Sequence, residues 1–73
     1  MENDKPKAAI IGADVNVFNL IGICSKSLKK AGYEKEAHEM SERIFKSKSY
    51  DEALAIMCEY IEPVEVGGYE NEY

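Results

Sequence analysis

One histidine and two cysteines carry most of the reactive chemistry in this chain of 73 residues, and their spacing assembles no site. His38 and Glu42 stand at i and i+4, so a helix would present both on one face. A metal would still need a third ligand such as Cys58, and the chain has no paired-cysteine spacing to supply one. Thiol catalysis by Cys24 or Cys58 with His38 requires an exposed, activated thiolate. Cys24 instead falls on the apolar side of a helical pattern. Glycines 12, 22 and 32 lie in no glycine-rich strand-to-helix turn, so they form no phosphate loop. With no acid/base pair, ligand set or nucleophile, the sequence predicts a non-catalytic protein with no catalytic residue, no metal and no cofactor.

What remains is recognition by charge and apolar surface. Residues 51–73 hold seven carboxylates and no lysine or arginine, whereas residues 1–50 carry a net charge of +2. One reading is an acidic solvated face. The sharper one is an acidic surface matched to a basic protein partner by steering and complementarity. Glu59, Glu62 and Tyr69 are its candidate contacts, with Tyr69 and Tyr73 as aromatic anchors in an acidic tail. A second reading uses Lys26, Lys29 and Lys30, with free N–H groups at a helix start, to hold a small anionic, nucleotide-like ligand. A DNA-reading helix-turn-helix is disfavoured. Its recognition helix would carry Asp51, Glu52, Glu59 and Glu62 toward phosphates that need lysine and arginine.

The elements that would position these residues are legible. Ser49 and Glu52 form a capping box, and Asp51 and Glu52 sit beside the positive end of the helix dipole. Pro63 pushes the residue before it out of the α region, so a helix is expected over about 50–62. Gly32 closes a helix over about 17–31, which Asn16 or Asp14 caps at its start. A third helix spans about 34–46. The expected fold is mainly α, a three-helix domain, with any strand confined to segments near 8–11 and 64–66. One domain over 8–66 lies between a flexible amino terminus, 1–7, and a flexible acidic tail, 67–73. Its expected core is Leu20, Ile21, Cys24, Leu28, Met40, Ile44, Ala53, Leu54, Met57, Tyr60 and Ile61. Glycine and alanine spacing at Gly32 to Ala37 and Ser49 to Leu54 is similar to the second helix of tetratricopeptide repeats, which implies helical hairpins only. No apolar run approaches the ~20 residues of a membrane span, and the polar first residues carry no targeting segment. Both cysteines therefore read as buried thiols of a reducing cytoplasm.

Three residues of the first helix disturb a single-face reading. Phe18 falls about 100° to one side of Val17, and Ile23 falls on the other flank. Gly22 between them costs roughly 1 kcal/mol relative to alanine, a cost that close approach of another backbone would offset. These positions and two short apolar strands point to a homodimer through the first helix. The alternative is that Ile10, Ile11, Val64 and Val66 fold back over the flanks within one chain.

From Ile11 to Pro63 the wording resembles a group of short, largely uncharacterised proteins carried by phages, plasmids and conjugative elements of Gram-positive bacteria. The segments that carry it are Asn16-Val17-Phe18-Asn19-Leu20-Ile21-Gly22-Ile23, Ser27-Leu28-Lys29-Lys30-Ala31-Gly32, Glu39-Met40-Ser41-Glu42-Arg43 and Ser47-Lys48-Ser49-Tyr50-Asp51-Glu52-Ala53-Leu54. The resemblance implies a mobile-element setting in a bacterial cytoplasm and brings no catalytic residues. The expected function is a protein-binding module, a regulator or inhibitor of a host defence system, gripping its partner through Phe18, Ile23, Glu59, Glu62 and Tyr69.

Overall fold

A computed structural model describes residues 5–67 of the chain. Strand β1 (Lys7–Ile11) leads into helices α1 (Val17–Lys30), α2 (Glu34–Phe45) and α3 (Tyr50–Tyr60), and strand β2 (Glu62–Glu65) closes the order. The fold is mainly α with two short strands. β1 and β2 pair in parallel, with Lys7 opposite Glu62, Ala8 opposite Pro63 and Ala9 opposite Val64. Parallel strands need a long crossover, and here the crossover is the entire three-helix body. None of the described helices is long and apolar enough to cross a membrane.

Local chemistry sets each boundary. The Asn16 side chain accepts from the Phe18 N–H at 2.8 Å, and Asp14 accepts from the Asn16 N–H at 3.1 Å, so both candidate caps are used in series. At the other end of α1, the Tyr33 N–H donates to Leu28 O and the Gly32 N–H to Lys29 O. This is a Schellman motif, and it places Gly32 at φ +91°, which glycine reaches without a Cβ clash. The capping box of α3 forms on its serine side, while the glutamate accepts one residue earlier than a reciprocal box requires. Ser49 accepts from the Glu52 N–H at 3.0 Å, and the Glu52 carboxylate reaches back to the Lys48 N–H.

Helix α3 ends at Tyr60, two residues before the expected limit. Ile61 is extended at φ −131° and ψ 164°, and its side chain is fully buried. Pro63 forces Glu62 into extended backbone, and β1 then captures that backbone: the Glu62 N–H donates to Pro6 O at 2.9 Å. The strands thus pair with each other and are not left unpaired. Order also begins earlier than residue 8, because Lys7 opens β1 and the Lys5 ammonium donates to Cys58 O at the negative end of α3. Helix α3 has no basic residue of its own in its last turn, so a distant lysine fills that role.

Leu20, Ile21, Cys24 and Leu28 of α1 meet Ala37, Met40 and Ile44 of α2 and Ala53, Ile56, Met57 and Tyr60 of α3, with Ala8 and Ile61 closing the core. Two expectations need correction. Leu54 is only half-buried against this core, and Cys58 is exposed. Helix α3 buries Ala53, Ile56, Met57 and Tyr60, spaced three and four apart. Cys58, one position beyond Met57, therefore turns about 100° away from that face.

The two thiols should accordingly differ in solution. Burial, with a smaller contribution from Cys58, pushes the Cys24 thiol from an ordinary 9.0 up to about 12. The folded chain keeps this proton over a pH range in which the unfolded chain has lost it. Its contribution to stability is therefore complete below the ordinary value and is lost progressively as pH rises toward the folded one. A thiol-reactive dye should label Cys58 quickly and Cys24 only on unfolding. Stability of the native chain should fall more steeply above pH ~9 than that of a Cys24→Ala variant in denaturant titrations. Equal labelling rates at the two cysteines would contradict this placement.

Candidate functional site

Helix α1 carries the candidate surface. It contains no acidic residue. Four grooves touch it: no Asp or Glu lines three of them among the described residues, and Glu34 lines the fourth beside Ser25, Lys29 and His38. In a chain of net charge −5 this is a local reversal of sign.

The first groove lies where the start of α1 meets the end of α2 and the start of α3. Phe18 and Phe45 stand beside it with ring centroids 6.3 Å apart and planes tilted by 40°. They are 67% and 63% exposed, far beyond what an aromatic pair needs for packing alone. Tyr50 also lines this groove, and its hydroxyl donates to Val15 O at 2.6 Å. Val15, Phe18, Phe45 and Tyr50 are four of the six large apolar side chains that are exposed among the described residues, and they gather at one end of the molecule. This exposed apolar cluster is the candidate contact surface of the molecule.

The second groove begins at the same Phe18 and passes Gly22 and Ser25 to Lys26, Lys29 and Lys30. The three lysines named from sequence are thus brought together. The helix-start N–H groups meant to assist them are not with them. Those of α1 lie about ten residues away, roughly 15 Å along the axis, and Asn16 already caps them. Those of α2 are flanked by Glu34 and Glu36. Gly22 meets no close backbone, since a Cβ added there would find nothing within 4 Å. Gly22→Ala should therefore raise stability by about 0.5–1 kcal/mol, read from denaturant midpoints. A destabilised variant would indicate a contact at this position that the isolated chain does not show.

The partner-binding set named from sequence is scattered. Phe18 is exposed at the aromatic end, as described. Ile23 is half-buried, packs on the core and lines a third groove on the β1 side, away from Phe18. Glu59 is engaged by Arg43, whose guanidinium donates to both carboxylate oxygens at 2.6 and 3.2 Å. That hydrogen bonding holds the Glu59 carboxyl below its ordinary range and raises Arg43 further. Arg43 also donates to the Tyr60 hydroxyl and stacks over its ring at 5.7 Å, so this cluster fastens α2 to α3. Glu62 is exposed but belongs to β2 and not to α3. Tyr69 lies outside the described residues.

Phe45, Val15 and Tyr50 are the contributors that sequence reasoning missed. Phe45 follows Ile44 by 100° on α2, the same offset that drew attention to Phe18, and this was the available signal. His38 is exposed and approaches Glu42 at 3.6 Å, and among the described residues no three His, Cys, Asp or Glu gather as a metal ligand set. Neither a protein-family model, nor a curated protein, nor a solved structure matches this chain.

Proposed function

We propose that this chain is a non-catalytic binding module that acts on another protein, gripped through the aromatic end formed by Phe18 and Phe45. The observation that carries the reading is the exposed aromatic pair, with Val15 and Tyr50 beside it. Aromatic anchors surrounded by polar side chains are the usual centre of a protein interface. Here the polar surround includes Ser47, Lys48 and Ser49. The resemblance to short mobile-element proteins supplies the setting: a bacterial cytoplasm, and a role as regulator or inhibitor of a host defence system. Exposed Glu62 would meet a basic region of the same partner, whereas Glu59 acts first as the partner of Arg43. The test is capture of proteins from a Gram-positive bacterial lysate by the native chain and by a Phe18→Ser, Phe45→Ser variant that keeps its helicity. A protein retained by the first and lost by the second supports the reading.

A second reading is favoured by one observation, the convergence of Lys26, Lys29 and Lys30 on a groove of about 590 Å³ that also holds Phe18 and Ser25. That groove could hold an anionic, nucleotide-like ligand between the lysines and an aromatic ring, in a homodimer if a second copy covers α1. Binding of such a ligand would be lost with Lys29→Glu and Lys30→Glu and retained with Glu62→Lys.

A further inference from the structure

Helix α1 carries a second line of residues beside the one it buries. Leu20, Ile21, Cys24 and Leu28 face the core. On the outer side, Phe18, Gly22, Ser25 and Lys29 follow one another at intervals of four, three and four, and all of them line the second groove. That spacing is the seam along which two helices pack side by side. The line is continuous. Phe18 belongs to the first groove as well as the second, and Ser25 and Lys29 belong to the second and the fourth. From Phe18 to Lys29 it covers about three helical turns, roughly 16 Å.

The chemistry along this line differs from end to end and restricts what can cover it. At its start stand the exposed rings of Phe18 and Phe45. At its end Lys26, Lys29 and Lys30 converge, and none of them forms an ion pair among the described residues. Glu34, on the α2 side of Lys29, sets one carboxylate against these three ammoniums. Between the two ends Gly22 is exposed, and nothing lies within 4 Å of where its Cβ would stand. A helix crossing there could approach at the short end of the usual ~8–10 Å interaxial range. A second α1 is a poor occupant, because it would add three lysines and no acid of its own. Charge complementarity calls for an acidic one.

We propose that α1 docks an acidic amphipathic helix of the protein partner, antiparallel to itself and crossing at Gly22. The partner's carboxylates meet Lys26, Lys29 and Lys30, and its apolar side chains, about two to three turns later, cover Phe18 and Phe45. The direction follows from the helix dipoles. Acids are favoured in the first turn of a helix, so the acidic end of the partner segment is its amino-terminal end. Lys29 and Lys30 lie in the last turn of α1, so the two helices run in opposite directions. The inference rests on the reading of the chain as a protein-binding module and names the segment that its aromatic end receives.

The test is selection from a library of helix-forming peptides of about 18 residues, randomised along one face, against the full chain. Affinities of a synthesised winner are then read by fluorescence anisotropy. Winners should carry acids in their first two turns and apolar residues in later ones, and should gain helicity on binding. A peptide with that order reversed should bind at least ~10-fold more weakly. Gly22→Gln should raise the urea midpoint of the chain, because glutamine is the better helix former, and yet weaken the peptide at least ~10-fold by filling the crossing. Lys29→Glu with Lys30→Glu should weaken it as much, and Phe18→Ser with Phe45→Ser at least ~100-fold. Indifference to Gly22→Gln, equal binding of the reversed peptide, or winners without acids or helicity would overturn the inference. If the phenylalanine variant alone then loses the peptide, the proposed function survives that outcome, whereas indifference to it would overturn both. A dimer of the native chain in sedimentation equilibrium that Gly22→Gln abolishes would assign this face to a second copy and overturn the inference as well. A library that yields no binder also overturns it.

Discussion

Leu28→Ala is expected to bring the chain close to its unfolding midpoint at room temperature. Leu28 is completely buried, and its carbonyl accepts the Tyr33 N–H that closes the Schellman motif between α1 and α2. The side chain and the turn therefore serve the same packing contact. Truncating a buried leucine costs about 2–5 kcal/mol, the lost transfer energy plus the cavity left behind. A chain this short buries only ~60% of its unfolded surface, so its stability belongs near the low end of the usual ~5–15 kcal/mol. The substitution removes much of that margin. Circular dichroism and urea titration should show a midpoint near zero denaturant, whereas Leu54→Ala, at a half-buried position, should shift it far less. Equal effects at the two sites would mean that the core is not centred where Leu28 places it.

The three helices were legible because their ends are written in local chemistry. Ser49 with Glu52, Asn16 with Asp14, and Gly32 each act through neighbours within a few residues, so sequence alone could place them. The strand pairing was not legible, since it joins Pro6 to Glu62 across the whole chain. Pro63 could be read as a helix stop, but its position relative to β1 could not. The early end of α3 at Tyr60 follows from that same distant pairing.

The surface was legible in part. The off-axis position of Phe18 was visible from helical periodicity, and so was the cluster of lysines at 26, 29 and 30. The pairing of Glu59 was not legible for a physical reason. Glu59 carries the same charge as its neighbours, but only the packing of α2 on α3 shows that Arg43 claims it. Similarly, Ile23 differs from Phe18 because β1 lies along its side of α1, which no local pattern encodes. Charge along the chain thus resolves in space into a helix α1 with no acid of its own and acids carried by its neighbours, Glu34 among them.

Phe18→Ser together with Phe45→Ser is expected to have the largest effect on function with little effect on folding. Both rings are mostly exposed, so their loss should change stability by no more than about 1 kcal/mol, the value of one aromatic contact. At an interface the same rings would be desolvated anchors, each costing about 2 kcal/mol or more on truncation. Since ~1.4 kcal/mol is a factor of ten in affinity, the double variant should bind at least ~100-fold more weakly. Lys48, at the rim of this groove, should instead tune the association rate and its salt dependence.

The decisive measurement is the dissociation constant of a captured partner for the native chain and for the phenylalanine double variant, at matched helicity and matched salt. The account predicts a loss of about two orders of magnitude or more with an unchanged circular dichroism spectrum. A partner bound equally well by both chains would contradict it, because the exposed aromatic end would then carry no part of the recognition.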